Sequence, residues 1–345
     1  MILSKNIIQL VLFFCLFTLN SIAQNLPRKV SFGAGLEEVK DGIKLTQIFN
    51  NTTAFEAGLN ANDVLTKINQ KEIKSIPQLI DNIKLWEAND SLEFTFIRNG
   101  KVCSITGKAI SVPKESCKYG TTIYNEVPFD GGYLRSILTM PSSVKNPPVI
   151  FFMQGVGCAS IDFYNNENST VKLLVDGLVA QGIAVYRIEK PGMGDSNNNT
   201  HCLEMDYDLE FEAFEKGLQA LKNIKSVKGN KLFSDSKVFL FGESLSSITA
   251  PYLALNHKIK GIINWGGIAG TWFDYYMSLQ INQKKLLGVS KSNIEKNYKK
   301  VLPFYIDYLK NNLTPIQLKQ KGYPELVDKY FRADSTWAGL HHYTY

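Results

Sequence analysis

The sequence has little histidine and little cysteine, with four and five residues among 345. No Cys-x-x-Cys pair occurs, and Cys202 with its neighbour His201 is the one place where the two residue types meet. A zinc site needs closely spaced groups of such ligands, so this spacing argues against one. We therefore expect neither a metal nor another cofactor.

Long apolar runs and clusters of like charge are also missing. Residues 7–19 form the most apolar stretch, and it is shorter than the ~20 residues of a membrane-spanning helix. The 38 Lys and Arg residues are scattered and give a formal net charge of +6. This dispersion indicates a solvated basic surface and no nucleic-acid partner. The length and the 44% of hydrophobic residues suit two packed domains.

The N-terminus has the order of an export signal. Lys5 precedes the apolar residues 7–19, and Ser21 and Ala23 place small residues where a signal peptidase cuts. We predict that residues 1–23 are removed and that the mature protein is periplasmic or secreted, with no stable membrane span. An uncleaved N-terminal anchor is the alternative.

Residues 28–112 form the first predicted unit. Its predicted elements are, in order, a Gly-rich turn (31–36), a strand (42–48), a short helix (54–59), a strand (63–69), a helix capped by Ser75, and a hairpin around Asn99-Gly100. This order resembles a PDZ domain of the type found in bacterial proteases. The runs 54–59 and 63–69 and the hairpin carry the resemblance, and Ala61-Asn62 departs from it because the family usually has Gly before the Asp.

The PDZ resemblance implies a peptide-binding site. Such domains receive an extended peptide or a C-terminus by strand addition. The groove would lie between the strand after the Gly-rich turn and the Ser75 helix. A terminal carboxylate would be held by the amides of four residues, Gly33, Ala34, Gly35 and Leu36. A spacer domain that binds nothing is the alternative.

Three further segments complete the predicted organisation. Residues 113–122 contain Pro113 and Gly120 and are predicted to be a linker. Residues 123–271 alternate apolar strands with helices, which is typical of a parallel sheet covered on both faces. Residues 272–345 have a helical pattern with proline breaks, and we interpret them as a cap. The predicted fold class is α/β, with an α+β domain in front.

The segment 237–247 contains the candidate nucleophile. A buried strand ends just before Gly242, and a helix is predicted to begin within a few residues after Ser244. A serine on such a sharp turn is pushed above the sheet, where a base reaches it. The pattern Gly242-x-Ser244-x-Ser246 resembles the nucleophile elbow of α/β-hydrolases, Gly-x-Ser-x-Gly, with Ser in place of the second Gly. A helix N-cap is the other interpretation of Ser244.

A loop rich in glycine follows the most apolar predicted strand, residues 149–153. In α/β-hydrolases the equivalent loop supplies one amide of the oxyanion hole, and the residue after the nucleophile supplies the other. The resemblance therefore assigns the two donors to the N–H groups of Val156 and Leu245. They would stabilise the negative oxygen of a tetrahedral intermediate.

Two other patterns lie near this loop. Residues 155–160, with Glu189 at the end of the next strand, imitate a dinucleotide-binding fingerprint, but its third glycine is missing. Residues 191–196 resemble the Pro-Gly-x-Gly-x-Ser loop of the α/β-hydrolase superfamily. We interpret Asp195 within that loop as a turn former and not as a catalytic acid.

The cysteines suggest disulfides, because export places them where such bonds persist. Cys158 follows the first loop and Cys202 follows the second. In the α/β-hydrolase fold these loops rise from adjacent strands, so the resemblance implies a Cys158–Cys202 bond at the rim of the site. A Cys103–Cys117 bond is a weaker hypothesis, and free thiols are the alternative.

The remaining triad members are not evident. The α/β-hydrolase order is Ser, acid, His, and the histidines after Ser244 are His257, His341 and His342. His257 ends a predicted helix and reads as a surface residue. We expect the chain to stop before the strands that would carry the acid and the base. Asp274 as the acid and His342 as the base are the alternatives.

The sequence thus predicts an exported serine hydrolase that acts on a carboxylic ester, a thioester or a related acyl substrate through acyl-Ser244. Two alternatives remain open. One is a serine peptidase to which the PDZ-like unit delivers chain ends, and the other is an inactive protein that binds exported peptides.

Overall fold

The computed structural model describes residues 26–330 apart from 227–228 and 268. The predicted export signal and the histidines at 341 and 342 lie outside these residues. Two sheets of six strands organise the described chain. Its helices are all too short or too polar to cross a membrane.

The first sheet is antiparallel and lies in the order β1-β2-β3-β5-β6, with β4 beside β3. Its elements are β1 (Ala34–Val39), β2 (Gly42–Ile48), α1 (Thr53–Glu56), β3 (Val64–Ile68), β4 (Lys71–Glu72), α2 (Ile76–Ile83), β5 (Ser91–Arg98) and β6 (Lys101–Lys108). Asn99 and Gly100 have φ of 51° and 73° at the β5–β6 turn, as an Asn-Gly hairpin requires. The predicted helix cap is present, since the Ser75 side chain accepts a hydrogen bond from the Gln78 amide.

The second sheet is mixed and lies in the order β12-β11-β9-β10-β8-β7. Its strands are β7 (Gly120–Phe129), β8 (Gly132–Pro141), β9 (Val149–Met153), β10 (Ala184–Ile188), β11 (Val238–Glu243) and β12 (Gly261–Trp265). The last four are parallel, as predicted, whereas β7 and β8 form an antiparallel hairpin. β7 begins inside the segment predicted to be a linker.

Helices cover both faces of this sheet. They are α3 (Thr170–Ala180), α4 (Tyr207–Asn223) and α5 (Ser246–Asn256). Phe151 of β9 packs in one buried cluster with Phe214 of α4, and its neighbour Phe152 packs in another with Val175 of α3. Successive strand residues point to opposite faces, so the apolar run in β9 fills two cores.

The edge strand β12 departs from the expectation of burial on both faces. Ile262, Ile263 and Trp265 are 39%, 40% and 53% exposed. In the described part of the chain β12 has β11 as its strand neighbour on one side only. The apolar side chains of β12 are therefore partly exposed, because one edge of the strand has no neighbouring strand among the described residues.

The predicted cap is helical in its described part. Its elements are α6 (Trp272–Ser278), a π-helical turn (Leu279–Gln283), α7 (Lys284–Leu286), α8 (Lys291–Tyr305), a second π-helical turn (Ile306–Lys310), α9 (Pro315–Gln320) and α10 (Pro324–Tyr330). Their apolar side chains form a cluster that includes Leu245. Tyr276 stacks on Tyr305 with ring centroids 5.0 Å apart, so these rings pack the cap itself.

Candidate active site and peptide groove

Ser244 occupies the turn between β11 and α5. Its φ is 51°, in the left-handed region that costs a residue other than glycine on the order of 1 kcal/mol or more. The Ser244 amide donates to the Trp265 carbonyl at 2.8 Å, and the Ser247 amide donates to the Ser244 carbonyl at 3.0 Å. These bonds hold the half-buried serine in the strained conformation.

Two glycines lie close to Ser244 in space, Gly242 on β11 and Gly155 in the loop after β9. At both positions the neighbouring chain is too close to leave room for a side chain. A Cβ at Gly242 would lie 2.3 Å from the Ser246 carbonyl oxygen, because strand and helix nearly touch there. A Cβ at Gly155 would lie 2.7 Å from the Ser244 Cβ and 3.3 Å from its Oγ. The structure therefore brings the loop after β9 directly against the Ser244 hydroxyl.

The two predicted oxyanion donors flank this contact. Val156 follows Gly155 in the loop and is 39% exposed, whereas Leu245 follows Ser244 and is 1% exposed. Leu245 stands at the N-terminus of α5, where backbone amides lack partners within the helix. The Gly155 amide itself donates to Glu243 Oε2 at 3.4 Å.

A disulfide joins the loops that follow β9 and β10. Cys158 and Cys202 are bonded, with their Cα atoms 5.8 Å apart. Cys103 and Cys117 are free thiols, so the weaker hypothesis of a bond between them is wrong. These two lie in different units, where Cys103 is on β6 and Cys117 precedes β7.

Glu189 lies beneath the same loop and is fully buried. Its carboxylate accepts hydrogen bonds from the Ser160 hydroxyl and, at 3.2 Å, from the Ile161 amide. Burial raises the pKa of Glu189 to about 7 despite these bonds. In a dinucleotide-binding fold this carboxylate would bind the ribose, and a helix would begin directly at the glycine loop. Here the carboxylate bonds to Ser160 and Ile161, and the next helix begins only at Thr170. The dinucleotide fingerprint is therefore a chance match.

Arg28 links the start of the first unit to both loops. Its guanidinium lies 2.6 Å from Asp162 and 2.5 Å from Asp195. Asp195 also accepts from the Arg135 side chain and the Lys29 amide, each at 2.9 Å. The interpretation of Asp195 as a turn former missed this role, since its partners are distant in sequence. Its carboxylate is committed to two arginines.

The histidines in the described residues do not supply an evident base for Ser244. His257 caps the far end of α5 and lies 2.8 Å from Glu215. At about 1.5 Å per residue, α5 separates it from Ser244 by roughly 16 Å. His201 is exposed beside Cys202. Asp274 is exposed and exchanges hydrogen bonds with Thr271, the residue that caps the start of α6.

The predicted peptide groove lies at the free edge of the first sheet. β1 pairs with β2 on one side, and its other edge borders α2, where Glu38 of β1 accepts from the Ile76 amide at 2.7 Å. Gly33 precedes β1 with φ of 76°, and a Cβ there would lie 2.1 Å from the Thr52 Cβ. Gly33 therefore shapes the turn that carries the predicted carboxylate-binding amides.

A cavity of about 350 Å³ separates the Gly33 turn from the second unit. It is lined by Gly33 and Thr52 on one side and by Tyr164 and Asn165 on the other. These last two residues follow Asp162 in the loop after β9. The Gly33 turn and the loop after β9 thus face a common space.

The described residues contain no group of three or more His, Cys, Asp or Glu side chains able to hold a metal ion.

A family model supports the interpretation of the first unit as a PDZ domain. The PDZ domain family model matches residues 30–108. The HtrA-type protease AlgW with a decapeptide has a TM-score of 0.24 and 15% identity over 25% of this chain and 30% of that chain. The HtrA3 PDZ domain bound to a phage-derived ligand has a TM-score of 0.21 and 14% identity, covering 24% and 85% of the two chains.

Two solved structures are similar to a larger share of the chain. DcsB in complex with its substrate analogue has a TM-score of 0.36 and 16% identity, with coverage of 49% of this chain and 54% of that chain. The alpha/beta hydrolase GrgF from Penicillium sp. sh18 has a TM-score of 0.35 and 15% identity, with coverage of 48% and 53%. No curated protein matches. The chemistry of the second unit is therefore argued from its own geometry.

Proposed function

We propose that the second unit is a serine hydrolase with Ser244 as its nucleophile. The observation that carries this proposal is the Ser244 turn. A serine with φ of 51° stands at the carboxyl end of a parallel strand, and the Gly155 loop contacts its side chain. Such a strained conformation serves to present a side chain, whereas a helix N-cap has an extended backbone.

The proposed reaction is acyl transfer. Ser244 Oγ attacks the carbonyl carbon of an ester or a thioester, and its proton passes to a base. The amides of Val156 and Leu245 stabilise the oxyanion of the tetrahedral intermediate. The intermediate expels an alcohol or thiol, and water then hydrolyses acyl-Ser244. In this sequence His341 and His342 are the candidate bases outside the described residues.

A fluorophosphonate probe tests the nucleophile, because it phosphonylates an activated serine. We expect wild-type protein to be labelled and Ser244→Ala to lose labelling by about 10³-fold or more. Ser247→Ala is the matched control, since that buried hydroxyl lies three residues further on. Labelling that persists in Ser244→Ala, or wild-type protein that is never labelled, contradicts the proposal. A His342→Ala variant then tests the base.

The first unit supports a second function, peptide binding. Its open β1 edge and the match of residues 30–108 to the PDZ family both favour strand addition. We propose that it binds peptide C-termini, for delivery to Ser244 in a peptidase or for retention near the esterase site.

Fluorescence anisotropy with a peptide library tests this binding. Each peptide is compared as the free acid and as the C-terminal amide, and binding of the free acid alone indicates carboxylate recognition at Gly33–Leu36. Equal binding of both forms excludes it. Hydrolysis of aminoacyl amides but not of short esters would favour the peptidase.

A further inference from the structure

Lys190 is a buried cation behind the active-site loop. It follows β10, is 1% exposed, and contacts a backbone carbonyl and a carboxylate. Its ammonium donates to the Gly155 carbonyl at 2.6 Å and lies 2.9 Å from the carboxylate of Glu210, which is itself 1% exposed. Removing a lysine from water is costly unless its charge is compensated. The Glu210 carboxylate supplies that compensation.

The contact with the Gly155 carbonyl fixes the direction of the Val156 amide. These two groups belong to one peptide unit, and the described residues contain no cis peptide bond. In a planar trans peptide the C=O and N–H point in opposite directions. With the Gly155 oxygen turned toward Lys190, the Val156 N–H must point away from Lys190.

The preceding peptide unit is held as well. The buried Ser246 hydroxyl donates to the Gln154 carbonyl at 2.6 Å, and the Gly155 amide donates to Glu243. Gly155 has the widest backbone freedom of any residue type. Its two flanking peptide planes are nevertheless both anchored by side chains from beyond the loop.

On the basis of the proposed hydrolase function, we propose that Lys190 is the positioning residue for the Val156 oxyanion donor. Its hydrogen bond to the Gly155 carbonyl sets the orientation of the peptide plane. Its charge also polarises that peptide, which makes the N–H a stronger donor. Lys190 touches neither substrate nor Ser244, so it acts through this one amide.

The test uses the full chain and a fluorophosphonate probe at several concentrations, which separates the maximal labelling rate, kinact, from the probe affinity, KI. Lys190→Met/Glu210→Gln removes both charges and leaves no buried ion uncompensated. Its reference is wild-type protein, because Glu210→Gln alone would leave the buried Lys190 without its compensating carboxylate. We expect kinact to fall by about tenfold to a hundredfold, with KI within about twofold, because the donor acts chiefly in the transition state.

A second buried lysine provides the matched control. Lys172 is also 1% exposed and is ion-paired with Asp176 at 2.5 Å, but it lies on α3. Lys172→Met is expected to leave kinact unchanged. An equal fall in this variant would show a general stability effect and would overturn the specific role of Lys190.

The outcomes separate this inference from the proposed function. If wild-type protein is never labelled, the hydrolase proposal fails. If wild-type protein is labelled and the folded double variant keeps the wild-type kinact, the role of Lys190 is overturned. Should the double variant not fold, Lys190→Gln/Glu210→Gln replaces it, with a polar but shorter and neutral side chain at position 190.

The ¹⁵N chemical shift of the Val156 amide gives a readout that does not depend on catalysis. In the double variant this shift should change more than the amide shifts of the other valines.

Discussion

The candidate sites of the two units differ in kind, because one is built from backbone groups and the other from a side chain. In the first unit the candidate site is backbone, formed by the open edge of β1 and the amides after Gly33. In the second unit it is one hydroxyl, Ser244, on a strained turn. Around that turn, side chains from β11, α5 and the segment after β10 hold peptide groups of the Gly155 loop in place.

This difference shows what each site needs for its construction. A backbone site requires strand order and a glycine where a side chain would collide. The hydroxyl site also requires buried charges, because Lys190 and Glu189 each bond to groups in the loop after β9. The second unit is therefore expected to respond to redox state and pH, and the first unit to changes in backbone shape.

Removal of the Cys158–Cys202 bond should give the largest change in stability. The bond closes a loop of 44 residues in sequence separation, for which chain entropy predicts about 4 kcal/mol. We expect Cys158→Ser/Cys202→Ser to lower the free energy of unfolding of the second unit by about 3 kcal/mol. Hydrogen exchange measured by mass spectrometry reports each unit separately.

Cys103→Ser is the control for this experiment, because Cys103 is a free thiol in the first unit. Its exchange pattern should match that of wild-type protein. If the double variant lost protection equally in both units, they would unfold together, and the contrast drawn between them would fail.

The buried Glu189 should make the stability of the second unit depend on pH. Burial raises its pKa to about 7 in the folded state, so the folded protein holds a proton that the unfolded chain releases nearer pH 4.5. Its stabilising effect is complete below the unfolded pKa and is lost as the pH rises through about 7. Urea unfolding at a series of pH values measures this loss.

The comparison variant is Glu189→Gln, whose neutral amide can still donate to Ser160 and accept from the Ile161 amide. Between pH 5 and 8 we expect wild-type protein to lose about 2 kcal/mol of stability relative to this variant. Parallel pH profiles for the two proteins would show that Glu189 is ionised throughout and would contradict the assignment.

The sequence predicted the elements better than it predicted their environment. Local signals were sufficient for the Asn99-Gly100 hairpin, the Ser75 cap and the strand order that matches the PDZ family, because each depends on neighbouring residues. The Ser244 turn between β11 and α5 could be predicted for the same reason, since Gly242 and Ser244 are only two residues apart. The exposure of β12 could not be predicted, since it depends on which strands lie beside it.

The support around the site escaped prediction because its partners are distant in sequence. Lys190 and Gly155 are 35 residues apart, and Arg28 and Asp195 are 167 apart. The repeat of a helix or a strand does not connect residues so far apart in sequence. A lysine after a strand is also expected to be exposed to solvent, and the residue by itself gives no sign that the fold buries it. The one available signal was the row of charged residues at the end of β10, Arg187, Glu189 and Lys190, beside an otherwise apolar strand.

The smallest expected effect tests the first unit. Gly33→Ala places a methyl group 2.1 Å from the Thr52 Cβ at a φ of 76°, so the turn must shift and its amides must turn away from a bound carboxylate. We expect the Kd for a free-acid peptide to rise about tenfold, which corresponds to about 1.4 kcal/mol. Ala34→Ser is the control, because it adds one oxygen without changing the backbone requirement, and it should bind normally. Fluorophosphonate labelling of Ser244 should be the same in both variants, since the hydroxyl site depends on side chains of the other unit. A labelling rate that fell together with peptide affinity would mean that the Gly33 turn and the Ser244 loop act as a single site across the cavity between them.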